Sequence, residues 1–154
     1  MMKGETNPMK WTDRYRKAVT FSYDDGVLQD RRLVDILNRY GLKATFNVNS
    51  GLGRKNGTFT YDRYAVSRFD LAELKSIYVG HEVAMHTVSH PPLTGLGRAE
   101  IVSQIERDRE AIEAVFGVRP IGLAYPFGDH DDTVVAVLKD LGVAYARTVT
   151  ADHS

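Results

Sequence analysis

The sequence contains no cysteine, which excludes disulfides and thiolate metal sites and leaves histidine and carboxylate as the only strong metal ligands. No apolar run approaches the roughly 20 residues that a membrane helix needs. The segment from Met1 to Lys17 is polar and carries no apolar core of a signal peptide. Neither charge sign dominates, since Lys plus Arg and Asp plus Glu each number 20, and neither forms a long block. Nothing electrostatic therefore favours nucleic acid or an anionic membrane as a partner. Internal repeats, low-complexity tracts and interdomain linkers are also missing. These absences predict a cytoplasmic chain with no nucleic-acid partner and no membrane insertion.

What is present fits one globular domain: 154 residues, 43% hydrophobic and 26% charged. The expected organisation is a polar segment over 1–16 and a folded domain over 17–154. Strand-like runs alternate with helical periodicity, the pattern of parallel βαβ units. Strands are expected over 18–23, 44–49, 82–85, 121–125 and 143–149. Helices are expected over 30–40, from Asp70 through Leu71, Leu74 and Ile77, over 99–116 and over 133–141, several closed by glycine. The stretch from Gly51 to Phe69 is too long for a simple βα loop and leaves room for a small hairpin on a binding face.

Three stretches follow strand-like runs: Tyr23-Asp24-Asp25-Gly26, His86-Thr87-Val88-Ser89-His90 and Tyr125-Pro126-Phe127-Gly128. In parallel α/β folds the loops at the carboxyl ends of strands share one face, where active sites are built. Two imidazoles four residues apart on a turn can meet one cation, and Asp25 can add a hard oxygen while leaving positions open for water and substrate. Taken alone, His86 and His90 fit two surface histidines beside Pro91-Pro92 equally well, and Asp24-Asp25-Gly26 also fits a plain Asx turn. Adjacent carboxylates on extended backbone point apart, so Asp24 and Asp25 suit different jobs: one to ligate, the other to take a proton. The proline-set loop at Phe127 could aim backbone N–H groups at developing negative charge, or simply close a strand. Tyr61, Tyr64 and Tyr125 lie near loops, where aromatic rings either pack or line a sugar groove.

In order and spacing, Phe-Ser-Tyr-Asp-Asp-Gly, then His-Thr-x-x-His, then Ala-Tyr-Pro-Phe-Gly resemble the polysaccharide deacetylases of the NodB-homology family, across residues 17 to about 150. The resemblance implies an α/β fold, a distorted (β/α) barrel of the NodB type. It implies hydrolysis of acetyl groups, chiefly N-acetyl, on an acetylated glycan, with metal-activated water as nucleophile. Asp25, His86 and His90 would match the ligands of one divalent metal ion, zinc above all, with cobalt or nickel as alternatives. Asp24 would match the general base, and Phe127 the residue whose backbone N–H meets the oxyanion.

The sequence departs from the family in two respects. The family's later motifs, with an Asp, an aromatic groove residue and a Leu-x-His, are not present, so a domain truncated at its carboxyl end is expected and the general acid is unassigned. His130, close to the Pro-Phe-Gly loop, is a better substitute for that acid than His153 in the terminal tetrapeptide. Many relatives also carry an Arg two residues before the first proline of the third motif, to orient the catalytic Asp. Here that residue is Ala124, which leaves the tuning of Asp24 open. A non-catalytic metal- or glycan-binding domain on the same fold is the alternative, and the retained Asp24 favours the enzyme. A non-haem iron oxygenase shares the ligand count, but its usual jelly roll does not fit an alternating α/β chain.

Overall fold

The computed structural model describes residues 18–151. The polar segment 1–16 and His153 lie outside the described residues. In chain order the elements are β1 (Ser22–Asp24), α1 (Asp30–Arg39), β2 (Thr45–Val48), β3 (Phe59–Tyr61), β4 (Tyr64–Val66), α2 (Leu71–Ile77), β5 (Glu82–Met85), α3 (Arg98–Phe116), β6 (Gly122–Ala124), α4 (Asp132–Asp140) and β7 (Tyr145–Arg147).

All the expected βα alternation is there, as a five-stranded parallel sheet in the order β1-β2-β5-β6-β7. β5 has the expected bounds, whereas the other four strands of the sheet are shorter than the runs that mark them. β1 begins at Ser22 rather than Ala18, because its single neighbour first pairs with it at Thr45 and Ala18 to Thr20 are exposed. The long stretch after β2 does contain an antiparallel hairpin, β3–β4. Its exit folds back on the first loop, where Phe69 N–H donates to the Gly26 carbonyl at 2.8 Å and Leu28 N–H to Ser67 at 3.0 Å.

Alternation along the strands sorts the two faces of the sheet. Phe46, Val48, Met85 and Leu123 turn to the helices and meet Val34 and Leu37 of α1, Leu74 and Ile77 of α2, Ile101, Ile105 and Ile112 of α3, and Val134, Val137 and Leu138 of α4 in one core. Burying each such side chain contributes about 1.5–3 kcal/mol. The opposite parity is polar or small: Ser22 and Asp24, Thr45 and Asn47, Glu82 and Ala84, Gly122 and Ala124, Tyr145 and Arg147. Gly122 is required there, because the Tyr145 ring lies where any Cβ would stand. Tyr145 donates from its hydroxyl to Glu82 at 2.7 Å, and Thr45 donates to the same carboxylate at 2.5 Å.

This polar face is concave. Arg147, on the last strand of the order, donates from Nε to Ser22 Oγ on the first at 3.0 Å. Such a contact requires the sheet to curl until its edges approach, as in a barrel. The architecture is thus the curled half of a distorted (β/α) barrel, with its carboxyl rim gathering the loops after β1, β2, β5, β6 and β7.

Candidate metal centre

Asp25, His86 and His90 come together on that rim. Each offers a ligand atom, and those atoms all lie within 4.8 Å of one another. His86 is buried and donates from Nδ1 to the Ala124 carbonyl at 2.8 Å. A carbonyl only accepts, so the proton sits on Nδ1 and Nε2 carries the lone pair. His90 Nε2 faces it at 3.1 Å, with the rings edge to face. Burial, and then the neighbouring His86, push the His90 pKa below its ordinary value. Imidazole nitrogens converging beside a carboxylate form the donor set that suits a borderline divalent cation, so these residues fit a metal ion.

The local backbone is unusual in the places that matter. Non-glycine residues with left-handed φ are Asp25 (79°), Asp62 (53°), Thr87 (68°), His90 (59°) and Phe127 (60°) among the described residues. All but Asp62, at the β3–β4 turn, belong to the three motif stretches. Such conformations are disfavoured for side-chain-bearing residues and persist where surrounding structure holds them. The histidine turn is held by Thr87, whose Oγ1 accepts the His90 N–H at 3.0 Å. Asn49 donates to the carbonyls of His86 (2.5 Å) and Thr87 (3.0 Å). Asp108 of α3, fully buried, accepts the N–H groups of Ser50 (2.8 Å) and His86 (3.0 Å), and burial raises its pKa to about 6.

Asp24 and Asp25 do point apart, each to its own arginine. Asp25 is ion-paired with Arg68 at 2.5 Å. Arg68 is buried, donates to the Gly57 carbonyl at 2.6 Å and lies 4.6 Å over the Phe59 ring. Asp24 accepts from Asn47 Nδ2 at 2.9 Å and from Arg147 Nη2 through both carboxylate oxygens. A cavity of about 500 Å³ is lined by Asp24, Asp25, His86, His90, Arg68 and Phe127, with Phe59, Tyr61 and Tyr125 among its aromatic walls. Phe127 is 64% exposed, and its ring stands edge-on to His90 at 4.6 Å.

The sequence-derived candidates therefore meet, except His130. Its ring is stacked on Tyr125, Nδ1 points to the Gly128 carbonyl at 3.3 Å, and it is not among the residues that line the cavity. Tyr64 is also outside the lining, beside Arg63 on the hairpin. Sequence reading missed Arg68, Arg147, Asn47, Asn49 and Asp108. Polar residues at alternate positions of Thr45-Phe46-Asn47-Val48-Asn49 were the available signal for the two asparagines.

Comparison with known proteins places the chain in a family. The family model described as polysaccharide deacetylase matches residues 12–146. Chitin deacetylase 1 of Cryptococcus neoformans var. grubii is 32% identical over 123 residues, covering 79% of this chain and 23% of that protein. Peptidoglycan-N-acetylmuramic acid deacetylase PdaC of Bacillus subtilis is 29% identical, covering 82% and 25%. The chain thus spans about a quarter of the length of these curated relatives. The structure of the Streptococcus pyogenes deacetylase PplD in complex with acetate shares the fold, with a TM-score of 0.71 at 24% identity over 84% of this chain and 54% of that one.

Proposed function

The chain belongs to the polysaccharide deacetylase family, and from that premise we propose that it is a metal-dependent hydrolase that removes N-acetyl groups from a poly- or oligosaccharide. The observation that carries the reading is the cluster of Asp25, His86 and His90 opening into the same cavity as a separately held Asp24. A pure binding domain would have no use for Asp24 in that position.

Asp25, His86 and His90 would hold one divalent ion, zinc before cobalt or nickel. When bound, such an ion supplies a Lewis acid for the acetyl carbonyl and lowers the pKa of a coordinated water toward ~7. Asp24 takes the proton of the attacking water. The Phe127 N–H donates to the oxygen that becomes negative as the carbonyl carbon turns tetrahedral, a contact worth roughly 2.7–4 kcal/mol in measured oxyanion holes. The aromatic walls of the cavity suit the apolar faces of sugar rings, which supports a glycan as the substrate class.

The test is metal content and acetate release from acetylated chitooligosaccharides, measured on the wild type, Asp24→Asn and His86→Ala. The wild type is expected to hold near one equivalent of metal and to release acetate. Asp24→Asn keeps the metal and loses turnover, whereas His86→Ala loses both. Equal metal loss in the two variants would contradict the separate roles.

A further inference from the structure

We propose that Arg147 is the positioning residue of Asp24, acting from the last strand of the sheet across the mouth of the half-barrel. The assignment rests on Asp24 being the base, as proposed above. Four contacts fix the guanidinium: Nη2 meets both oxygens of Asp24, Nε donates to Ser22 Oγ at 3.0 Å, and Nη1 donates to the Thr148 carbonyl at 3.1 Å. The carboxylate is thereby held in one orientation. Its Oδ1 also accepts from Asn47 at 2.9 Å, while Oδ2 accepts from Arg147 alone among the described residues. Oδ2 therefore keeps the freer lone pair for a proton.

The neighbouring strand makes room for this arm. Ala124 is the register partner of Arg147, and Gly122 is the partner of Tyr145, whose ring occupies the space a Cβ would take. β6 thus offers almost no side-chain bulk on the concave face, and the side chains of β7 lie across it. An arginine at position 124 and one at position 147 would start from adjacent points of the same sheet face. Arg147 can therefore do for Asp24 what Ala124 cannot.

Stability alone does not account for the pair. The Arg147 and Asp24 side chains are 32% and 29% exposed, and an ion pair this open to solvent contributes little to stability. Orientation is the larger effect, because a base must lie within hydrogen-bond reach of the proton it takes. Arg147 exchanges no proton in the step, since a guanidinium stays charged. The proton passes from water to Asp24, the water oxygen bonds to the acetyl carbon and the carbonyl electron pair moves to its oxygen; collapse then breaks the C–N bond, with a proton from solvent passing to the leaving amine.

The experiment compares Arg147→Ala and Arg147→Lys with the wild type by kcat, KM and metal content. In Arg147→Ala, kcat is expected to fall roughly 10- to 100-fold, the usual loss when an orienting partner is removed. KM and metal content should stay at wild-type values, and Arg147→Lys should recover part of the loss. A kcat within about threefold of wild type in both variants, or metal lost in parallel with turnover, would overturn the proposal. If Arg147→Ala does not fold, Arg147→Lys decides: reduced kcat at unchanged KM supports the role, and unchanged kcat refutes it. A nitrogen NMR spectrum of the arginine side chains reads the pairing without activity. The Arg147 Nε–H signal should shift in Asp24→Asn, and no shift would count against the assignment. A wild type that shows this coupling and holds metal but releases no acetate refutes the deacetylase reading and leaves the pairing intact.

Discussion

At the scale of residues, the two adjacent aspartates are separated by what holds them. Arg68 is buried and ion-paired with the Asp25 carboxylate, whose ligand oxygen lies within 4.8 Å of the imidazole ligand atoms, so it limits the freedom of that group to swing away from the cluster. Arg68→Ala should lower metal affinity roughly 10- to 100-fold, as loss of an orienting partner does elsewhere. Titration with zinc against a competing chelator measures this, and unchanged affinity would remove Arg68 from the site. Phe127 poses a different question, because its N–H and its ring serve separate ends. Phe127→Gly keeps the N–H and relieves a φ of 60° that favours glycine. Turnover within about tenfold of wild type is expected if the backbone donor carries the effect. A loss beyond about 100-fold would shift the role to the ring packed on His90.

At the scale of elements, α3 does more than cover the sheet. Its Asp108 reaches under the loops after β2 and β5 and accepts N–H groups of Ser50 and His86. In Asp108→Ala those buried donors lose this acceptor, at about 1–3 kcal/mol for each left unpaired. The melting temperature should drop, and zinc retention with it, since the His86 turn loses its anchor. Thermal unfolding with and without zinc checks both. The helix itself was legible from Ile101, Ile105 and Ile112 at helical spacing, and the other helices and the sheet strands were legible from local patterns, whereas the β3–β4 hairpin was signalled only by the length of its loop. Asp108 and Arg147 were not, because neither belongs to a local pattern. Asp108 meets His86 22 residues away once α3 has packed on β5, and Arg147 meets Asp24 123 residues away once the sheet has curled. The motif residues were legible because each sits at the carboxyl end of its own strand. The polar concave face was written in the alternation of Ser22, Asp24, Thr45, Asn47, Tyr145 and Arg147, but three-residue strands give that period too few repeats to stand out.

At the scale of the whole molecule, the half-barrel binds its stability to pH through carboxyl groups sealed behind the sheet. Asp30, in the first turn of α1, is buried against the Tyr78 hydroxyl, which donates to it. Burial raises its pKa from 3.8 to about 6 against the lowering effect of that hydrogen bond. A raised carboxyl is protonated in the folded chain at pH values where the unfolded chain has already ionised. The folded state then binds more protons, so its stability falls as pH rises. The contribution is complete below about pH 4 and is lost as pH passes through about 6. Asp108 shifts in the same direction, also to about 6, so the two add. Asp30→Asn keeps an acceptor for Tyr78 and removes one of the two titrations. Its melting temperature relative to wild type should therefore climb between pH 4 and pH 7, while the slope due to Asp108 remains in both proteins. A difference between the two proteins that stays flat across this range would show that Asp30 ionises without hindrance, and that burial at the start of α1 is looser than its packing against Tyr78 implies.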